Sequence, residues 1–150
     1  MITPSASIRI AAPPATVISF IADPTNAPRW MKAVEVAELL TPGPIARGSR
    51  FREVMSAGGK RVEAVCEIVE LDPERRYAWQ SVGDGATAYG GGFTAIPVDG
   101  GTELRYEGWA TASGELAGRE RAWARQAQRE TEAELAAIKG AIERAASADP

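Results

Sequence analysis

Histidine is absent from the 150 residues, which removes the Ser-His and Cys-His nucleophile pairs and every metal site built on an imidazole ligand. Cysteine occurs once, at Cys66, so no disulfide can form within the chain. Its place in a strand pattern reads as a small buried hydrophobe rather than a reactive thiol. Lysine is scarce too, with Lys32, Lys60 and Lys139 among 17 cations that are otherwise arginine and interleaved with 20 acids. The net charge of -3 contains no basic patch, which argues against nucleic acid and against anionic membrane surfaces as partners. No stretch approaches 18 apolar residues, and Met1 to Ile10 has no cationic region followed by an apolar one, so neither membrane insertion nor a signal peptide is expected. With the lone cysteine, this suggests a reducing, cytoplasmic setting. Nothing in the sequence implies a cofactor or a metal.

The longest feature present is the stretch Glu115 to Ala146, free of proline and rich in Ala, Glu, Arg, Gln and Leu. It reads as one helix roughly 48 Å long. Leu116, Trp123, Ala127, Leu135, Ile138 and Ile142 recur at helical spacing and form one apolar stripe on a charged cylinder. That stripe needs a cover, and the preceding hundred residues read as strands.

Ser5 to Ala11 alternates as a first strand, and Pro14 to Ala22 changes to helical period. Asp23 and Pro24 then stop that helix and start a second short one, with Asp23 as N-cap and Pro24 in the first position. A second strand runs from about Val34 to Leu40. After the Thr41 to Arg47 loop come Ser49 to Ser56, Arg61 to Leu71, Tyr77 to Val82, Ala86 to Ile96 and Thr102 to Ala112. Turn signals at Gly58-Gly59, Asp72 to Arg75, Gly83 to Gly85 and Asp99-Gly100 separate them, and Ser113-Gly114 launches the long helix. A chain of this size buries about 68 to 70% of its unfolded surface in one core, so residues 1–150 are expected to form a single domain.

Several short motifs carry a resemblance: Ala12-Pro13-Pro14-Ala15-Thr16-Val17, Phe20-Ile21-Ala22-Asp23-Pro24 and Pro28-Arg29-Trp30, then Gly48-Ser49-Arg50-Phe51, Glu70 to Arg75 and Asp99 to Leu104. In this order they resemble the START-related, pollen-allergen-like superfamily (SRPBCC) that includes polyketide cyclases and dehydrases. The resemblance implies an α+β helix-grip fold. A seven-stranded curved antiparallel sheet would wrap around the C-terminal helix, with two short helices between strands 1 and 2. It also implies an apolar cavity for a small hydrophobic molecule, as members bind lipids, hormones, polyketides or quinones and some are enzymes.

Turn geometry fixes which side chains face the helix. A two-residue loop at Gly58-Gly59 pairs Met55 with Val62, Glu53 with Ala64 and Phe51 with Cys66. Asp99-Gly100 pairs Ala95 with Leu104 and Phe93 with Tyr106, and the turn at Asp72 to Arg75 pairs Ile68 with Trp79 and Cys66 with Ser81. Arg50, Arg52, Glu63, Glu67, Glu103, Arg105 and Glu107 then fall on the opposite, wet face. The inner face mixes the rings of Phe51, Trp79, Phe93 and Tyr106 with Ala64, Cys66, Ser81, Gly91, Ala95 and Gly108, opposite Ala124 and Ala127. Bulk this low leaves either a cavity or a tighter grip around a full core.

The candidate ligand-binding set is Trp30, Phe51, Glu53, Met55, Cys66, Trp79, Ser81, Tyr89, Phe93, Tyr106 and Trp123. Glu53 is the best catalytic candidate, since burial would raise its pKa; the alternative is a rim ion pair with an arginine. Trp30 is expected near the cavity mouth or as a lid on the helix, and Trp109 on the wet face, at a twisted strand end or in a subunit contact. Gly90-Gly91-Gly92 reads as a bulge or a place where a ligand approaches the backbone. Glu120 and Thr131 could add polar contacts from the helix. Three functions fit: a carrier or sensor of a small hydrophobic, aromatic or polyketide-like molecule; a cyclase or dehydratase using Glu53 or a tyrosine; or a protein-interaction module around Trp109. A monomer or a homodimer is compatible with each.

Overall fold

The computed structural model describes residues 1–57, 59–83, 87–112 and 117–148. Seven strands form one antiparallel sheet: β1 Ser5–Ile10, β2 Val34–Leu39, β3 Arg50–Ala57, β4 Lys60–Asp72, β5 Arg76–Val82, β6 Thr87–Val98 and β7 Gly101–Ala112. Their spatial order is β1-β7-β6-β5-β4-β3-β2, so every hairpin-linked pair is adjacent and the first two strands form the edges. Helix α1 spans Pro14–Ala22, a 3-10 helix spans Pro24–Arg29, and α2 spans Glu120–Ala148 after a 3-10 turn at Ala117–Arg119. Strand ends lie within two residues of those the sequence predicts.

The inferred pairings hold residue for residue: Phe51 with Cys66, Glu53 with Ala64, Met55 with Val62, Cys66 with Ser81, Ile68 with Trp79, Phe93 with Tyr106 and Ala95 with Leu104. The tight turn at Asp99-Gly100 accounts for one of these sets, because Gly100 takes φ +80° and lets Val98 pair directly with Gly101. Gly58, the Asp84 to Ala86 part of the β5–β6 connection, and Ser113, Gly114, Glu115 and Leu116 at the expected start of the long helix lie outside the described residues. Asp23 caps the 3-10 helix as expected, accepting from the Thr25 amide at 3.0 Å.

Two differences have clear causes. Gly90-Gly91-Gly92 is not a bulge, since β6 pairs with β7 without interruption from Thr87 to Val98. The register shifts lie in β2 between Val34 and Val36 and in β4 between Ile68 and Glu70. The glycines instead admit side chains laid flat on the strand: a Cβ at Gly91 would strike Tyr106 and Trp79, and one at Gly92 would strike the Arg76 guanidinium. The second short helix is 3-10 rather than α, because Pro28 inside it cannot donate to an α ladder.

The long helix seals one edge of the sheet. Gln128 accepts from the Ser5 amide at 3.1 Å and donates to its carbonyl at 2.7 Å, Lys139 donates to the Arg9 carbonyl at 2.9 Å, and Glu143 accepts from the Ala11 amide at 2.9 Å. These side chains satisfy the free backbone groups of β1. They also anchor α2 toward β1, leaving it away from the β2–β3 side of the sheet.

The helix stripe is then used in two ways. Its C-terminal half buries Leu135, Ile138, Ala141 and Ile142 against α1 residues Val17, Ile18 and Ile21 and strand residues such as Ile10 and Leu104. Its N-terminal half presents Trp123, Ala127 and Thr131 to a space the sheet does not fill. The charged face points outward as expected, with Arg52 between Glu38 (2.8 Å) and Glu63 (2.7 Å), Arg105 on Glu103 (3.1 Å) and Arg50 facing Glu67 (3.9 Å).

Candidate functional site

Between the sheet and the N-terminal half of α2 lies a cavity of about 400 Å³. The inner faces of β3, β5, β6 and β7 supply Glu53, Met55, Trp79, Tyr89 and Tyr106, and the helix supplies Trp123, Ala127, Glu130, Thr131 and Glu134. Six of the eleven candidate ligand residues therefore border it: Glu53, Met55, Trp79, Tyr89, Tyr106 and Trp123.

The other five lie elsewhere: core side chains occupy the end of the sheet covered by α1 and the 3-10 helix, leaving space there for about one water molecule, and Ser81 is tied to the backbone of Tyr89. Phe51, Cys66 and Phe93 are at most 2% exposed and belong to the continuous core. Tyr77 stacks on Trp79 at 5.8 Å, Trp79 on Phe93 at 5.9 Å, and Phe93 meets Tyr106 at 4.9 Å, so the rings fill the space themselves. Trp30 is neither at the mouth nor a lid; it is buried edge-on against Phe93 at 5.8 Å. Ser81 uses its hydroxyl to accept from the Tyr89 amide at 3.0 Å. Cys66 Sγ sits 3.7 Å from the Tyr89 hydroxyl, and burial pushes its thiol up to about 12. A thiol held there is not a nucleophile at neutral pH.

Glu53 is 2% exposed, and the rim ion pair does not form: Glu53 faces the inner side of the sheet, while Arg52 and Arg61 lie on the outer side, paired with Glu38, Glu63 and Glu35. Burial alone raises its carboxyl to about 7. Across the cavity Glu134 is raised to about 8, first by burial and then by the charges of Glu130 and Glu53. Among the described residues no hydrogen bond or ion pair reaches either carboxyl. The Tyr89 and Tyr106 hydroxyls are also pushed upward, mainly by burial, so both stay protonated and can donate. Beneath the cavity, Trp30 Nε1 is buried with no hydrogen-bond partner among the described residues, and Trp30 borders a void of about 10 Å³ shared with Glu53, room for about one water molecule.

Glu130 and Glu134 are acidic site residues that the sequence reading lacks. The signal for Glu134 lies in the sequence, since 127, 131, 134 and 138 continue the stripe at spacings of four, three and four, but among the polar helix positions the reading takes in Glu120 and Thr131 and not Glu134. Trp109 points from the outer face as its register requires, but its ring lies across Gly90 at the strand end and borders the cavity as well. Glu120 stays at the surface, 3.2 Å from the N-terminal amine. Thr131 is buried and lines the cavity.

Solved structures share this architecture. TTHA0849 from Thermus thermophilus is 26% identical, with a TM-score of 0.79 over 95% of this chain and 98% of its own. The Zhui aromatase/cyclase from Streptomyces sp. R1128 is 23% identical, with a TM-score of 0.73 over 95% and 93%. Ara h 8.0201, at 15% identity and TM-score 0.69 over 95% and 97%, has the same helix-grip fold. No curated protein sequence matches the chain. Among the described residues no helix is long and apolar enough to cross a membrane. The family model described as polyketide cyclase / dehydrase and lipid transport matches residues 1–143, and the chain belongs to that family.

Proposed function

We propose that this protein binds a small hydrophobic molecule with an aromatic or polyketide-like body, held between the sheet and the N-terminal half of α2. The observation that carries this reading is the contrast between the two ends of one core. One end is filled by stacked rings and branched aliphatics, while the other keeps about 400 Å³ open behind Trp79, Tyr89, Tyr106 and Trp123. Close packing is the default for a protein interior, so unfilled space walled by aromatic faces suits a ligand of matching chemistry. The family's description and the aromatase/cyclase likeness support the same class.

The test is titration with N-phenyl-1-naphthylamine, a neutral aromatic probe. Saturable probe brightening, with a change in the emission of Trp79, Trp109 and Trp123, is the expected result. Neither signal changing up to the solubility limit of the probe overturns the reading.

Glu53 favours a second reading, a cyclase or dehydratase. A buried carboxyl poised near 7 can take and return a proton at neutral pH, and a folded poly-carbonyl chain needs little beyond that and positioning. Under this reading Glu53→Gln abolishes turnover of a polyketide-like substrate and leaves probe affinity intact. Turnover at the parent rate removes Glu53 from the chemistry.

A further inference from the structure

The lining of the cavity is one-sided in charge. Glu53 enters from β3 and Glu130 and Glu134 from α2, and among the described residues that border the cavity there is no lysine or arginine. The residues outside the described set contain Asp84, Glu115 and Asp149 and no basic side chain, so they add no positive charge. Glu53 is 2% exposed, borders the open space and has no partner among the described residues. An unpaired buried carboxylate is costly, and placing two more acids beside it adds repulsion. Trp79, Trp109, Trp123, Tyr89 and Tyr106 line the same space as these acids, and aromatic rings attract organic cations. Inorganic metal is a poorer fit, because among the described residues no three acidic, histidine or cysteine groups come together as a metal site requires.

We infer that the ligand of this cavity carries a protonated amine on its hydrophobic body, seated between Glu53 and Glu134 with its rings against Trp79 and Tyr106. This rests on the ligand-binding reading above and adds the charge of the ligand. A neutral carbonyl could accept from Glu53 and Glu134 while they are protonated, but once they ionise it leaves the repulsion of Glu134 by Glu130 and Glu53 in place. A cation does both: it partners the carboxylates and neutralises the repulsion. An anionic ligand meets repulsion from every side.

Three probes on one scaffold separate these cases: 1-naphthylmethylamine, 1-acetonaphthone and 1-naphthoate, each titrated calorimetrically into the full chain at pH 7.5. The amine is expected to bind at least roughly tenfold tighter than the ketone, with the naphthoate weakest. Glu134→Gln, at a partly buried helix position, and Glu53→Gln are each expected to weaken the amine several-fold while leaving the ketone unchanged or tighter. Raising the pH from 6 to 8.5 is expected to tighten the amine, as Glu53 and Glu134 ionise beside Glu130 while Tyr89, Tyr106 and Cys66 stay neutral. A ketone that binds as tightly as the amine, or amine affinity indifferent to both substitutions, overturns the charge preference and leaves hydrophobic binding standing. Binding of none of the three removes the ligand-binding reading and this inference together.

Discussion

Gly91 illustrates how single residues set the shape of the cavity. It carries no unusual backbone angle, yet a methyl group there would meet the Tyr106 hydroxyl and ring and the tip of Trp79 at less than 3 Å. Tyr106 can lie against the sheet only because Gly91 and Gly108 beneath it are bare. Gly91→Ala is therefore expected to lift the Tyr106 ring into the cavity. The cost is that of an overpacked core site, roughly 1–3 kcal/mol, with weakened binding of the naphthylamine probe. Urea unfolding and the probe titration check both halves. Unchanged stability together with unchanged probe affinity would mean that Tyr106 has somewhere else to go. This role was not legible in the sequence, where three consecutive glycines in a strand suggest a bulge; only the identity of the rings on β5 and β7 distinguishes a bend from a bed.

At the scale of elements, α2 is one helix with two occupations. Leu135, Ile138 and Ile142 knit its C-terminal half to α1, whereas Ala127 and Thr131 face open space. Ile138→Ala should cost about 2–5 kcal/mol, the usual range for truncating a fully buried aliphatic side chain. Ala127→Phe, a larger change in volume, should cost less than about 1 kcal/mol because its ring enters the cavity, and it should abolish probe binding. Comparing the two urea midpoints and the two probe titrations tests the division of the helix; a heavily destabilised Ala127→Phe would show that the space is not available. The elements themselves were largely legible. Turn residues set the register through loops of known length, and parity along each strand then placed every inward side chain. The division of the inner face into a filled and an open half was not, because it depends on where α1 and the 3-10 helix come down on the sheet. Phe51, Cys66 and Phe93 thus shared the correct face with Trp79 and Tyr106 yet ended in the packed half. Trp109 was placed on the correct outer face, but parity gives only the face of a residue and could not show that its ring also borders the cavity.

For the molecule as a whole, five of its acids form two groups with opposite effects on stability. Glu35, Glu63 and Glu143 are held below the usual carboxylate range, chiefly by side-chain hydrogen bonds to Ser56, Arg52 and Lys139 respectively. They favour the folded state above their unfolded pKa and lose that effect as the pH falls. Glu53 and Glu134 do the reverse. Each holds its proton longer when folded, so stability is greatest while both are protonated. It declines as the pH climbs from the ordinary value of 4.5 to about 7 for Glu53 and about 8 for Glu134, then levels off. Burying Glu53 as a carboxylate costs on the order of 3 kcal/mol in this accounting. Glu53→Gln should therefore match the parent near pH 5 and exceed it near pH 8.5, the gain developing between pH 5 and 7.5. Urea midpoints for both proteins at the two pH values provide the measurement. A variant that tracks the parent at both would mean that the Glu53 carboxylate is solvated in the folded state, and a variant less stable at pH 8.5 would mean that it has a partner there. Adding an amine ligand at pH 8.5 should restore to the parent part of what Glu53→Gln gains, since a bound cation lowers the same two carboxyls and stabilises the folded form by mass action. The stability deficit of the empty protein above neutral pH and the charge of the ligand are thus two readouts of one unpaired acid.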